Sequence, residues 1–158
     1  MKSMETEIWP KPECGIFDMD GTLLDSMGMW RNLGRDLFLC HGVRPPADLE
    51  ARIRHLELPE LADRCSALGV PGSPRLLEAE LRGRIEQFYR EWVYAKPGVS
   101  DFLAHLWADG VRLYVATATD RPLAEAALER AGLAGYFQGM VTCQEAGQEK
   151  QEGPAVYE

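Results

Sequence analysis

The chain's 158 residues are 46% hydrophobic, enough to bury a core in one domain or in one domain carrying an inserted module. Lys and Arg number 17 against 25 Asp and Glu, a net charge of −8 with no basic runs, which argues against a nucleic-acid partner. No stretch approaches about 18 apolar residues, and the N-terminal MKSMETEIWPKPEC is acidic and proline-bearing, so neither a membrane span nor a signal peptide is expected.

Cys14 to Phe17 is the first of three short apolar stretches that predict strands. It runs into FDMDGTLLDS, residues 17–26, which sets Asp18 and Asp20 one residue apart at the strand's end and follows them with Gly21 and Thr22. Carboxylates held that near raise one another's pKa unless a cation or hydrogen bonds compensate, so a positive charge is expected beside them. Asp-Gly-Thr taken alone also suits a plain solvated turn.

Residues 26–95 carry no strand signal. Met27, Trp30, Leu33 and Leu37 form an apolar stripe at helical spacing that ends near Gly42. Leu77, Leu81, Ile85, Phe88 and Trp92 form another, and Pro45, Pro46, Pro59 and Pro74 cut shorter helical pieces between the two. A lone aromatic on such a stripe belongs to a core more often than to a ligand site, so Trp30 is expected to be packed. Arg52, Arg54 and His55 lie in the same segment, where a solvated helix face accounts for them as well as substrate contact does.

Past the segment, VSDFLAHLWA predicts a helix over Val99 to Ala108, entered from Lys96-Pro97-Gly98. The second strand follows at Val111 to Ala116. Leu123, Ala127, Leu128 and Ala131 then repeat at helical spacing up to a stop at Gly132, and Gly139 to Cys143 gives the third strand. Strands alternating with helices argue for a parallel sheet covered by helices. Cys14, Cys40, Cys65 and Cys143 form no Cys-x-x-Cys pair, so a zinc site or redox motif is not expected, and the thiols fit a reduced, cytoplasmic setting.

Three motifs in order carry a resemblance. They are Asp18-Met19-Asp20-Gly21-Thr22 at the end of the first strand, Thr117 with Ala118 and Thr119 at the end of the second, and Lys150 in EKQEGPAVYE ahead of a helix. With a helical insert after the first of them, the chain resembles the haloacid dehalogenase superfamily of phosphohydrolases. The insert is similar to that of the small-cap group containing phosphoglycolate phosphatase and beta-phosphoglucomutase. The resemblance implies an α/β fold, a Rossmann-like parallel sheet with helices on both faces plus a helical cap. Residues 1–25 and 96–158 would form the core and 26–95 the cap.

It also implies a chemistry, hydrolysis of a small phosphorylated metabolite. Asp18 would attack phosphorus and form an aspartyl-phosphate, which splits one hard displacement into two easier ones. Asp20 would protonate the leaving oxygen and then activate water. Mg2+ would be held by the Asp18 carboxylate and the Asp20 backbone carbonyl. Gly21, Thr117, Ala118 and Lys150 would hold the phosphate, and Arg52, Arg54 and His55 of the cap would contact the rest of the substrate.

The family's pattern continues with a fourth strand whose acidic pair completes the Mg2+ site, and no such motif follows Lys150 before Glu158. The chain is therefore expected to be a fragment of a longer enzyme or a protein lacking that metal acid. Turnover by the chain itself is expected to be weak or absent, and its first strand to be an open edge that invites self-association. A sugar phosphomutase and a catalytically silent binding protein are the alternative readings. Mutase members carry His where Trp30 stands and often an aliphatic residue where Thr22 stands, and both departures favour hydrolysis.

Overall fold

The computed structural model describes residues 11–147, so Lys150 lies outside the described residues. A parallel sheet of order β1-β2-β3 forms the core. β1 (Cys14–Phe17) pairs with β2 (Arg112–Thr117), Phe17 opposite Val115, and β2 pairs with β3 (Gly139–Thr142), Thr117 opposite Thr142. Parallel neighbours need crossovers, and the chain supplies helices for them. Between β1 and β2 come α1 (Met27–Cys40), α2 (Leu49–Ile53), α3 (Leu58–Ala67), α4 (Pro74–Gln87), a π-helical turn (Phe88–Trp92) and α5 (Val99–Ala108). α6 (Arg121–Arg130) crosses from β2 to β3, and the short α7 (Cys143–Ala146) follows.

Local chemistry sets the helix ends. Glu57 and Glu60 close a reciprocal capping box at the start of α3, with Pro59 in its first turn. Ser73 Oγ accepts from the Leu76 N–H and Pro74 opens α4. β2 runs one residue beyond the sequence expectation, because the Val111 N–H is taken by the Leu106 carbonyl at the end of α5 while Thr117 still pairs with Thr142. β3 stops one residue short, because Thr142 becomes the cap of α7, accepting from the Glu145 N–H at 3.2 Å.

One apolar cluster joins sheet and cap, from Leu113 and Val115 in β2 through Met19 and Leu24 to Leu81 and Tyr89. Removing each such side chain from water contributes about 1.5–3 kcal/mol. Leu77, Leu81 and Ile85 lie buried as their spacing predicts, but Trp92 is 61% exposed and Tyr89 is wholly buried. Tyr89 continues the four-residue step of Leu77, Leu81 and Ile85, and the π turn, where the Val93 N–H reaches back five residues to the Phe88 carbonyl at 2.9 Å, carries that step on to buried Val93 and leaves Trp92 outside it.

Trp30 also corrects its sequence expectation. Leu33 and Leu37 of its stripe are buried, but Trp30 and Met27 stand partly exposed over the cleft between cap and sheet. The first turn of α1 overhangs the strand ends, and periodicity says nothing of what lies opposite a helix end.

Candidate active site

The site lies at the carboxyl ends of the strands, where open parallel sheets bind ligands. β1 ends at Phe17 and the chain turns at once: the Met19 carbonyl accepts from the N–H groups of Leu23 and Leu24 at 2.9 and 3.0 Å. Met19 is buried beneath this turn, which leaves Asp18 exposed and Asp20 half-buried. Gly21 takes φ +74°, a left-handed conformation that a residue without Cβ adopts freely.

The two carboxylates are held by different partners. Thr22 Oγ1 donates to Asp18 Oδ2 at 3.2 Å. Asp20 Oδ1 accepts from the Tyr89 hydroxyl at 2.6 Å, and its Oδ2 accepts from the Thr119 hydroxyl at 2.7 Å. Tyr89 in turn accepts from the Trp30 indole Nε1–H at 3.0 Å. Burial, then the charge of Asp20, push the Tyr89 phenol pKa well up, so the hydroxyl keeps its proton and remains a donor.

The cation expected beside the paired carboxylates has a partial answer in Lys96. Its Nζ donates to the Gly21 carbonyl at 2.7 Å, and its own N–H donates to the Leu23 carbonyl at 2.9 Å. The returning linker is pinned to the turn by a bridge between Leu24 and Ala95 and by the Asp25 N–H on the Tyr94 carbonyl. Lys96 thus brings positive charge to the backbone of the Asp20-Gly21 turn.

At the end of β2, Thr117 is buried and its Oγ1 accepts from the Thr119 N–H at 3.1 Å. Ala118, Thr119 and Asp120 carry the chain past the sheet along the cavity wall and into α6. The cavity measures about 780 Å³, within the usual range for small-molecule sites. Asp20 and Thr119 line it from the core, and Trp30, Tyr89, Arg82 and Arg90 from the cap. Arg82 is paired with Glu78 and Arg90 with Glu86.

The structure therefore brings Asp18, Asp20, Gly21, Thr117 and Ala118 to one end of the sheet. It does not bring the three cap candidates there. Arg52 pairs with Asp48 at 2.8 Å, Arg54 with Glu50 at 3.5 Å, His55 is exposed, and none of them lines the cavity. Tyr89, Thr119 and Lys96 were missed as site residues. Thr119 stands two residues past Thr117 in the second motif, and Tyr89 four residues past Ile85 on the apolar stripe, but nothing local pairs Tyr89 with Asp20 or Lys96 with the Gly21 carbonyl.

Among the described residues no group of three or more His, Cys, Asp or Glu side chains converges as a metal cage. The donors that do sit at the turn are oxygens, the Asp18 carboxylate and the backbone carbonyl of Asp20. An all-oxygen set of one carboxylate and one carbonyl fits Mg2+, which keeps several waters and rarely needs a full protein cage.

Comparison with known proteins agrees with this geometry. The model of the haloacid dehalogenase-like hydrolase family matches residues 16–153. A phosphorylated carbohydrates phosphatase of Thermotoga maritima is 30% identical over 144 residues, 82% of this chain and 60% of its own length. The tyrosine-protein kinase PtkA of Mycobacterium tuberculosis is 32% identical over 130 residues, 80% of this chain and 43% of its own. The chain thus spans about half the length of these curated relatives. A crystal structure from Thermotoga maritima, provisionally described as a beta-phosphoglucomutase, superposes with a TM-score of 0.80 at 27% identity, covering 92% of this chain and 67% of that one. With the paired aspartates at the end of β1, the helical cap above them and the family match along most of its length, the chain belongs to the haloacid dehalogenase-like hydrolases.

Proposed function

We propose that the full-length protein is a Mg2+-dependent phosphatase that hydrolyses a small phosphorylated metabolite through an aspartyl-phosphate on Asp18. The observation that carries the reading is the division of labour between the aspartates. Asp18 is exposed at the strand end, whereas Asp20 is held by Thr119 of the core and Tyr89 of the cap beside the cavity. A nucleophile must be open to phosphorus, and a proton-transfer group must be held still next to it.

In the first step an Asp18 carboxylate oxygen bonds to phosphorus as the bond to the leaving oxygen breaks, and the leaving oxygen takes the proton of Asp20. In the second step Asp20, now a carboxylate, accepts a proton from the attacking water as the Asp18–phosphorus linkage opens. Thr117 and Ala118, just ahead of α6, and Gly21, just past β1, would receive phosphate oxygens, and Lys150 is assigned to the charge on the transferring group. Mg2+, held by the Asp18 carboxylate and the Asp20 carbonyl, would neutralise phosphate charge that otherwise repels the nucleophile. Residues 26–95 act as the cap that selects the substrate.

Hydrolysis is favoured over isomerisation by Trp30. The indole N–H donates to Tyr89 and has no proton to exchange near neutral pH, whereas the mutases of this group carry His there. The test is phosphate release from a generic phosphate ester by the intact protein, with and without Mg2+, and with an added sugar bisphosphate. Release that needs Mg2+ and ignores the bisphosphate is expected. Bisphosphate-dependent isomerisation of a sugar phosphate would establish the mutase, and no turnover under any condition would establish a silent binding protein.

A further inference from the structure

We propose that Tyr89 is a positioning residue that fixes the proton-transferring carboxyl of Asp20 from the cap side. The inference rests on the phosphatase reading and adds a residue to it. Three observations converge on Tyr89. It is a wholly buried cap residue whose hydroxyl donates across the cap–core boundary to Asp20 Oδ1 at 2.6 Å. Its hydroxyl is itself oriented, since the Trp30 indole N–H donates to it at 3.0 Å. It continues the buried stripe of Leu81 and Ile85 into the π-helical turn Phe88–Trp92, within which Tyr89 faces inward and Trp92 faces solvent. Single π turns within α-helices are uncommon and recur at functional sites.

The arrangement has a defined effect on Asp20. An aspartate carboxyl can rotate about its terminal bonds, and a hydrogen bond to only one oxygen leaves its plane loosely set. Here Tyr89 engages one oxygen and Thr119 the other, from two separate parts of the fold. A carboxylate has about four acceptor positions, so these two bonds leave room for a leaving oxygen or a water. When the ester bond breaks, its electron pair stays on the leaving oxygen, which takes the Asp20 proton, while phosphorus passes to Asp18. Correct placement of that proton matters most when the leaving oxygen is strongly basic.

The experiment exploits this dependence. Tyr89→Phe removes the hydroxyl and keeps the ring, and kcat/KM is measured in the intact protein for an alkyl phosphate and for p-nitrophenyl phosphate. This constant covers the steps up to departure of the leaving group. Loss of a hydrogen bond to a charged group should lower kcat/KM for the alkyl ester by roughly ten- to a hundredfold. The loss for the nitrophenyl ester, whose leaving group needs little protonation, should be smaller by about a factor of ten. Trp30→Phe, which removes the bond orienting the Tyr89 hydroxyl, should show the same selectivity to a lesser degree and keeps the test open if Tyr89→Phe folds poorly.

A role confined to packing would depress both esters equally, and equal losses in both variants overturn the proposal. Full retention of alkyl phosphate turnover in Tyr89→Phe overturns it too. No turnover of either ester by the wild-type protein would instead remove the phosphatase reading on which it rests.

Discussion

Gly21→Ala tests the turn that carries Asp20, and its outcome is a contest of opposing terms. An added Cβ would lie 2.8 Å from Met27 Cγ and 3.1 Å from its Sδ. Met27 is 46% exposed and flexible, so it can swing away at little cost. The backbone term cannot be relieved so easily, because φ is +74° and the turn is closed by the Gly21 N–H on the Leu24 carbonyl and by Lys96 on the Gly21 carbonyl. Left-handed backbone costs an L-residue roughly 1–2 kcal/mol. Replacing Gly also restricts the unfolded chain, which stabilises the fold by about 0.4–1 kcal/mol. Strain wins, and the net loss is about 1 kcal/mol, or roughly 2–4 °C in Tm for a chain of this size. Gly83→Ala supplies the control: Gly83 is exposed within α4, its φ is not positive, and no atom lies within 4 Å of the new Cβ. There the same change should stabilise by about 1 kcal/mol. Thermal and urea unfolding of both variants measure the contrast. A Gly21→Ala protein as stable as wild type, or more so, would refute the claim that this turn demands glycine.

Ser26→Ala should be neutral or raise stability by up to about 1 kcal/mol in urea unfolding, because the Ser26 hydroxyl is buried with no hydrogen-bond partner among the described residues and makes no cap bond to α1; a loss beyond 1 kcal/mol would show a partner that the geometry lacks. The Arg121 guanidinium, and then the Thr142 N–H, draw the Glu145 carboxyl from its ordinary value of 4.5 down to about 2. A depressed folded pKa stabilises fully above the ordinary value and loses that contribution as pH falls from about 4.5 toward 2, so Glu145→Gln should make acid unfolding less steep in that window, and an unchanged slope would count against the pairing. Burial pushes the Cys65 thiol up to about 11, whereas Cys14 and Cys40 are exposed. Iodoacetamide near pH 8 should therefore modify Cys14 and Cys40 well before Cys65 in peptide mass mapping, and early modification of Cys65 would show that its site opens.

Much of the core was legible because its signals are local. β1 and α5 were placed by an apolar run and by an amphipathic period with Pro-Gly before it and Asp-Gly after it, and both hold to the residue. Where β2 and β3 shift by one residue, the decision rests on single hydrogen bonds at Val111 and Thr142 that composition does not encode. Asp18 and Asp20 stood out by their spacing at a strand end and Thr117 by its place in the motif order of the resembled family, and parallel strands carry such carboxyl-end residues to one rim. The cap side was not legible. Tyr89 lies 69 residues from Asp20, and although it stands four residues past Ile85, the stripe was carried on through Phe88 and Trp92 instead, the latter left outside by the π turn. Lys96 looked like a linker residue because its partner, the Gly21 carbonyl, is 75 residues away. Arg52 and Arg54 were drawn in by their place in the insert, where the resembled group reads its substrate, and their carboxylate partners stand four residues before them on the same stretch of chain.

The claim on which the account depends is that Asp18 carries the phosphoryl group. An intact protein supplied with a radiolabelled phosphate ester and Mg2+, quenched in acid within the first turnovers and digested, should yield label on the peptide containing Asp18. That label should be released by hydroxylamine, as an acyl phosphate is. Asp18→Asn should leave the peptide unlabelled, keep the fold, and lower turnover by at least about a thousandfold, because covalent catalysis without its nucleophile loses several powers of ten. Label on another residue, or undiminished turnover by Asp18→Asn with no deamidation, would contradict the account.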